Sequence, residues 1–195
     1  MGAMPHLSRA DLEAFRDREV PDLISPGLAL LFVGINPGLW TAATQTHFAH
    51  PGNRFYPALL RAGIIDRPID PAAGMSDDDR TYLLARGIGI TNIVRRATAR
   101  ADELSRAEYA EGGRALAARV REYAPRVVAI AGITAYRSAF GVRSARPGRQ
   151  PEPLGGRPLW VVPNPSGLNA HETVDSLAQA YAEPAREAGL LPPID

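Results

Sequence analysis

Cysteine and lysine are both absent from the 195 residues. Without cysteine there are no disulfides, no thiolate nucleophile and no cysteine-ligated zinc or iron–sulfur site. Without lysine there is no side-chain amine to form a Schiff base with a carbonyl substrate, since all 22 basic residues are arginine. No run approaches the roughly 18 apolar residues of a membrane span, and no signal-peptide pattern is visible. No membrane partner is therefore expected, and the chain is expected to be cytoplasmic. G-x-G-x-x-G, P-loop and G-x-S-x-G signatures are missing too, which leaves dinucleotide, nucleoside-triphosphate and serine-hydrolase chemistry without their usual residues.

A strong net charge is also lacking. The formal charge is +1 at pH 7, too small to mark a nucleic-acid binder by itself. Its distribution is less even. Five arginines, at positions 137, 143, 146, 149 and 157, face one acid, Glu152, and Arg95, Arg96 and Arg100 form a second cluster. Phosphate contact would have to come from such local patches, which are as often solvated loops as binding surfaces.

What is present is the composition of a soluble globular protein, 45% hydrophobic and 22% charged. The length suits a single domain, residues 1–195, burying about 70% of its unfolded surface. Met1 to Met4 are set aside as an expression scar. Ser8 is the N-cap of a first helix to about Arg18. The apolar run Leu28–Val33 is too short for a helix and ends in a sharp turn, which predicts a buried strand. Phe55–Ala62 predicts a short helix, Ser76 caps another that ends near Gly87, and Ile88–Val94 is a second strand. Ser105–Glu108 is a capping box for a long helix to about Tyr123. Val127–Ala131 is a third strand, Thr134–Phe140 a short helix, and Gly141–Pro158 an irregular loop. Pro158–Val162 is a fourth strand, and a last helix runs from His171 or Glu172 to about Ala188. Strands alternating with helices, with no hairpin signal, predict a parallel sheet in a three-layer α/β/α sandwich.

Two loops hold more chemistry than a connection needs. The first strand exits through Gly34-Ile35-Asn36-Pro37-Gly38 and continues to Phe48-Ala49-His50-Pro51 and Asn53-Arg54-Phe55. The fourth exits through Asn164-Pro165-Ser166-Gly167-Leu168. Both leave the carboxyl ends of predicted strands, where open parallel sheets bind ligands. Asp102 lies on the same rim, in the loop after the second strand, and is a candidate to activate water; an exposed acid paired with a nearby arginine is the competing reading. His47 and His50 have a ligand-like spacing but no evident third ligand, so no metal is expected.

The two pentapeptides, in this order at strand ends, resemble the uracil-DNA glycosylase superfamily, and within it the mismatch-specific uracil/thymine-DNA glycosylases. The resemblance runs from about Leu28 to Tyr181 and implies a three-layer α/β/α fold with four central parallel strands. It implies a monomeric, cofactor-free enzyme acting on double-stranded DNA that contains uracil or mismatches. The implied reaction is hydrolysis of the N-glycosidic bond of a flipped uracil, or thymine or another modified pyrimidine, opposite guanine, leaving an abasic site for base excision repair. Lacking lysine, such an enzyme would be monofunctional. In the family the asparagine at Asn36 holds the attacking water, and Asp102 is the departure that supplies a carboxylate. The resemblance places Ile35, Gly38, Phe48, Asn53 and Asn164 around the base, with Phe48 stacking on it. At Gly38 the strictly uracil-selective branch has a tyrosine nearby that blocks a C5 methyl group, and at Asn164 that branch has a histidine. Gly167, Leu168 and Asn169 match the wedge that fills the hole left by the flipped base, and Ser166, His171 and Arg96 are candidates for phosphate contact. A nucleoside or nucleotide hydrolase on the same fold, and a non-catalytic module for mismatched or abasic DNA, are the rival readings.

Overall fold

The computed structural model describes residues 7–194, so Met1 to Met4 lie outside it. Strands β1 (Leu30–Gly34), β2 (Ile88–Asn92), β3 (Val127–Ala131) and β5 (Leu159–Val162) are all parallel, as the sequence predicts, and they stand in the order β2-β1-β3-β5. A fifth strand differs from that expectation. β4 (Gly148–Arg149) pairs antiparallel with β5 inside the segment expected to be an irregular loop. Two residues, one of them glycine, carry no hydrophobic alternation, so nothing in the sequence marks this edge.

Both faces of β1 and β3 are buried, which is why each reads as a near-continuous apolar run. Leu30 and Phe32 of β1 with Val127 and Ala129 of β3 face one core, and Leu31, Val33, Val128 and Ile130 face the other. On the first face pack α3 (Phe55–Arg61) and α7 (Val174–Glu187), and on the second α5 (Arg106–Tyr123) and α6 (Ile133–Phe140). Ser105 and Thr173 cap α5 and α7 through side-chain bonds to the third residue of each helix. That bond satisfies one of the amides a helix start leaves open. Helix α1 (Arg9–Glu13) is shorter than predicted, although Ser8 does cap it. Helix α4 (Asp77–Ala85) follows Ser76 as expected. An additional helix, α2 (Leu39–Thr44), begins directly after Gly38, where the sequence suggests only a loop. No helix among the described residues is long and apolar enough to cross a membrane.

The chain turns in opposite directions from the neighbours β1 and β3: the next strand after β1 lies on its outer side, and β3 begins the other half of the sheet. Such a reversal opens a crevice at the carboxyl ends of the strands.

Candidate functional site

A cleft of about 510 Å³ occupies that crevice, within the usual range for small-ligand sites. The exits of all four parallel strands reach it: Gly34 ends β1, Asn92 ends β2, Ala131 ends β3, and Asn164 follows β5. Two segments thus far apart in sequence meet at one site.

Asn36 is held from the loop after β2. Its Nδ2 donates to the Arg96 carbonyl at 2.9 Å and to Thr98 Oγ1 at 2.8 Å. The Thr98 hydroxyl spends its own proton on the Arg100 carbonyl at 2.8 Å, so it can only accept from Asn36. Both partners demand the amino end of the amide. Oδ1, unpartnered among the described residues, is left as an acceptor in the cleft, aimed by bonds from the opposite loop. Gly38 caps α2 in extended backbone, and a Cβ built on it would meet nothing within 4 Å. The cleft is therefore open at this position.

Phe48 is both packed against the core and part of the cleft wall. Its ring stacks on buried Phe55, centroids 4.1 Å apart at 24°, and it also lines the cleft beside Gly34. A left-handed φ of 56° holds it there, a backbone state disfavoured for a bulky residue and typical of functional loops. Asn53 and Asn164 each turn Oδ1 back onto an amide two residues later, Phe55 at 2.9 Å and Ser166 at 2.9 Å. Both amides line the cleft with their donor ends unspent among the described residues.

Asn92 is a cleft residue that the sequence reading missed. It is 6% exposed, and its Nδ2 meets His47 Nδ1 at 3.1 Å while His47 Nε2 meets the Pro21 carbonyl at 2.9 Å. A carbonyl only accepts, so the His47 proton sits on Nε2, and Nδ1 accepts from Asn92. The signal available was position: a lone asparagine at the carboxyl end of a buried strand, as with Asn36. A Cβ on Gly34 would come within 2.4 Å of Asn92 Oδ1, so only glycine leaves room for that amide. With both ring nitrogens committed, His47 is no metal ligand.

Burial pushes the His47 pKa below its ordinary 6.5, and Arg80 and Arg95 act in the same direction against the Pro21 carbonyl and Asp22. The unfolded chain accepts a proton near 6.5 that the folded chain refuses, so His47 costs no stability above that value and destabilises progressively below it. Urea unfolding midpoints measured from about pH 8 to about pH 5 should fall more steeply for the wild type than for His47→Gln, which keeps an acceptor and a donor without the charge. Parallel curves would place the pH dependence elsewhere.

The charged candidates stand differently. Asp102 is in a single 3₁₀ turn, Ala101–Glu103, with a 62% exposed side chain paired to Arg100 at 2.6 Å. Arg100 and Ala101 line the cleft and Asp102 flanks it, so among the described residues no carboxylate lines it. Arg96 is held by Glu108 and Asp17, both at 2.7 Å, and Arg95 by Glu19 and Asp22. Arg95 and Arg96 are thus neutralised by two acids each and are not bare phosphate sites, whereas Arg100 has only its exposed pair with Asp102. Arg96 holds the Glu108 carboxyl down at about 2. Of the remaining phosphate candidates, Ser166 lines the cleft and His171 is exposed outside it.

Leu168 is 93% exposed, at the tip of the loop that closes one side of the cleft. That excludes a core role for it. Gly167 lies against the Gly52 carbonyl, and Asn169 donates to the Asn164 carbonyl at 3.1 Å, so its amide braces the loop.

Comparison with known proteins agrees with this fold. The solution NMR structure of a "putative Uracil DNA glycosylase" from Methanosarcina acetivorans superposes with a TM-score of 0.58 at 17% identity, over 89% of this chain and 98% of that one. At that identity it shows a shared fold. The family model for the uracil DNA glycosylase superfamily matches residues 21–185, from the segment beside β2 to within α7. The chain belongs to the uracil DNA glycosylase superfamily, whose members hydrolyse N-glycosidic bonds in DNA.

Proposed function

We propose that this protein is a monofunctional, mismatch-specific uracil DNA glycosylase that takes a flipped uracil, and pyrimidines substituted at C5, from opposite guanine. The observation that carries the reading is the Asn36 amide, whose donors are both consumed so that its oxygen points into the cleft. An amide oriented in this way positions a water without removing its proton. The proton acceptor in this scheme is Asp102, released when a DNA phosphate draws away the 74% exposed Arg100. The water oxygen bonds to C1′, the C1′–N1 bond breaks, and its electron pair leaves on the base as an anion. Asp102 takes the proton.

Phe48 offers the flipped base a face, and Asn53, Asn92 and Asn164 offer its edge neutral donors and one acceptor. A neutral Asn164 stabilises a leaving anion less than a cation would, which fits slow turnover. Leu168, exposed at the rim, suits a wedge between base steps. With no lysine in the chain, the reaction stops at the abasic site.

The open space at Gly38 supports tolerance at C5. Gly38→Tyr should leave uracil release within about threefold while lowering thymine or 5-hydroxymethyluracil release at least tenfold, about the discrimination one steric group gives. Backbone strain does not intervene, because Gly38 has φ −75°. An equal loss for all bases, or a wild type that already rejects every 5-substituted uracil, would contradict the C5 reading.

A further inference from the structure

We infer that Arg54 is a positioning residue: its guanidinium clamps the loop carrying Leu168 to the loop carrying Phe48, and so prepares the wedge for duplex DNA. The inference rests on the wedge role proposed above for Leu168, but the clamp itself is visible in the contacts.

The loop from Pro163 to Thr173 has no regular secondary structure, yet its main chain converges on one side chain. Arg54 Nη2 donates to the carbonyls of Ser166 at 2.6 Å and Asn169 at 2.7 Å, and Nη1 donates to the carbonyl of Glu172. The Arg54 amide adds a bond to the Pro165 carbonyl at 3.0 Å. The Gly167 backbone lies so close beneath that a Cβ there would be 2.6 Å from the Gly52 carbonyl. Carbonyls spread from 165 to 172 are thus drawn to a single residue of the Asn53-Arg54-Phe55 turn. Only a planar fork with several fixed N–H groups can gather them; an ammonium cannot span the set in one geometry.

Two features make this more than ordinary loop packing. Among the described residues no carboxylate lies within 4 Å of Arg54, whereas Arg95, Arg96 and Arg100 on the opposite rim are all paired with acids. A cation solvated by carbonyl dipoles alone keeps its full charge beneath the loop that would meet DNA. In addition, Nε is buried with no partner among the described residues. A stranded donor costs stability, so the three-carbonyl arrangement is kept at some expense.

The consequence concerns the wedge. A 93% exposed leucine inserted into a base stack loses conformational freedom on insertion, and less so if its loop is already fixed. Duplex substrate needs the wedge, and single-stranded substrate, with no stack to fill, does not.

Arg54→Gln and Arg54→Lys are compared with wild type by three readouts. Amide hydrogen exchange on the free protein reports the clamp without reference to activity. Protection across 164–172 should drop in both variants, while β1 and β3 stay protected. Unchanged protection overturns the clamp, and loss of protection throughout the sheet shows a general folding defect and overturns it equally. Single-turnover release from a uracil-containing duplex should fall about thirtyfold, the scale of charged hydrogen bonds lost, with release from single-stranded DNA within about threefold. Equal losses on both substrates overturn the wedge preparation. Arg54→Lys near wild type would mean that charge alone suffices, and would overturn the geometric role. In a Leu168→Ala background Arg54→Gln should cost no more than about a further threefold, since the two act through one element; a full thirtyfold would overturn the coupling. If wild type releases no base from any DNA, the glycosylase reading fails while the exchange result still decides the clamp.

Discussion

Asn36→Ala is expected to lower single-turnover uracil release from a G·U duplex by about a thousandfold, the upper range for removing one preorganised polar group from a transition state. The argument is geometric. The Asn36 oxygen is free only because Arg96 and Thr98 occupy both donors, so deleting the amide removes the acceptor that the loop after β2 has aimed. No neighbour is placed to substitute: the Thr98 proton is committed to the Arg100 carbonyl. Truncation also strands the Arg96 carbonyl and Thr98, but it leaves the Phe48–Phe55 stack and the Leu168 loop intact. Binding to a duplex containing a stable abasic analogue should therefore change by less than about threefold, because no charge is lost. A release rate within about tenfold of wild type would show that water is positioned by something other than Asn36.

The next largest effect is expected at Asp102. Asp102→Asn keeps the shape and the solvent exposure but cannot accept a proton, and a general base contributes about a hundredfold or more. Asp102 is the acid beside Ala101 and Arg100 of the cleft wall, and its present partner is an exposed arginine. Exposed pairs contribute little in water, so a phosphate can compete for Arg100 at small cost. Quenched single-turnover assays of the two proteins at one pH and salt concentration decide the matter. Similar rates would leave Asp102 as a rim charge and Asn36 as sufficient for positioning.

The parts of the molecule legible in the sequence are those where burial dictates composition. Leu30–Val33 and Val127–Ala131 must be apolar on both faces, so their runs announce central parallel strands. Ser76, Ser105 and Ser8 announce helix starts because orphan amides need an oxygen. β4 escapes because two residues make no pattern, and α2 because its cap is a glycine and its six residues include Trp40 and two threonines. In the site, Asn36, Phe48, Asn164 and Leu168 were placed by motif, and the cleft does bring them together. What the motifs do not carry is partnership. Arg96 looks like a free cation until Asp17 and Glu108 are folded against it. His47 looks like a ligand until Pro21 and Asn92 take both its nitrogens. Arg54 has partners that are carbonyls at least 111 residues away, and main-chain atoms leave no trace in a sequence.

The central claim is tested most directly by incubating excess wild-type protein with a duplex containing one G·U pair, alongside free deoxyuridine, and measuring base release over a salt series. Release of uracil from the duplex, weakening as salt rises, with the strand intact until alkali is added and the nucleoside untouched, is the predicted result. Hydrolysis of deoxyuridine independent of salt, or tight duplex binding with no base released, would contradict it.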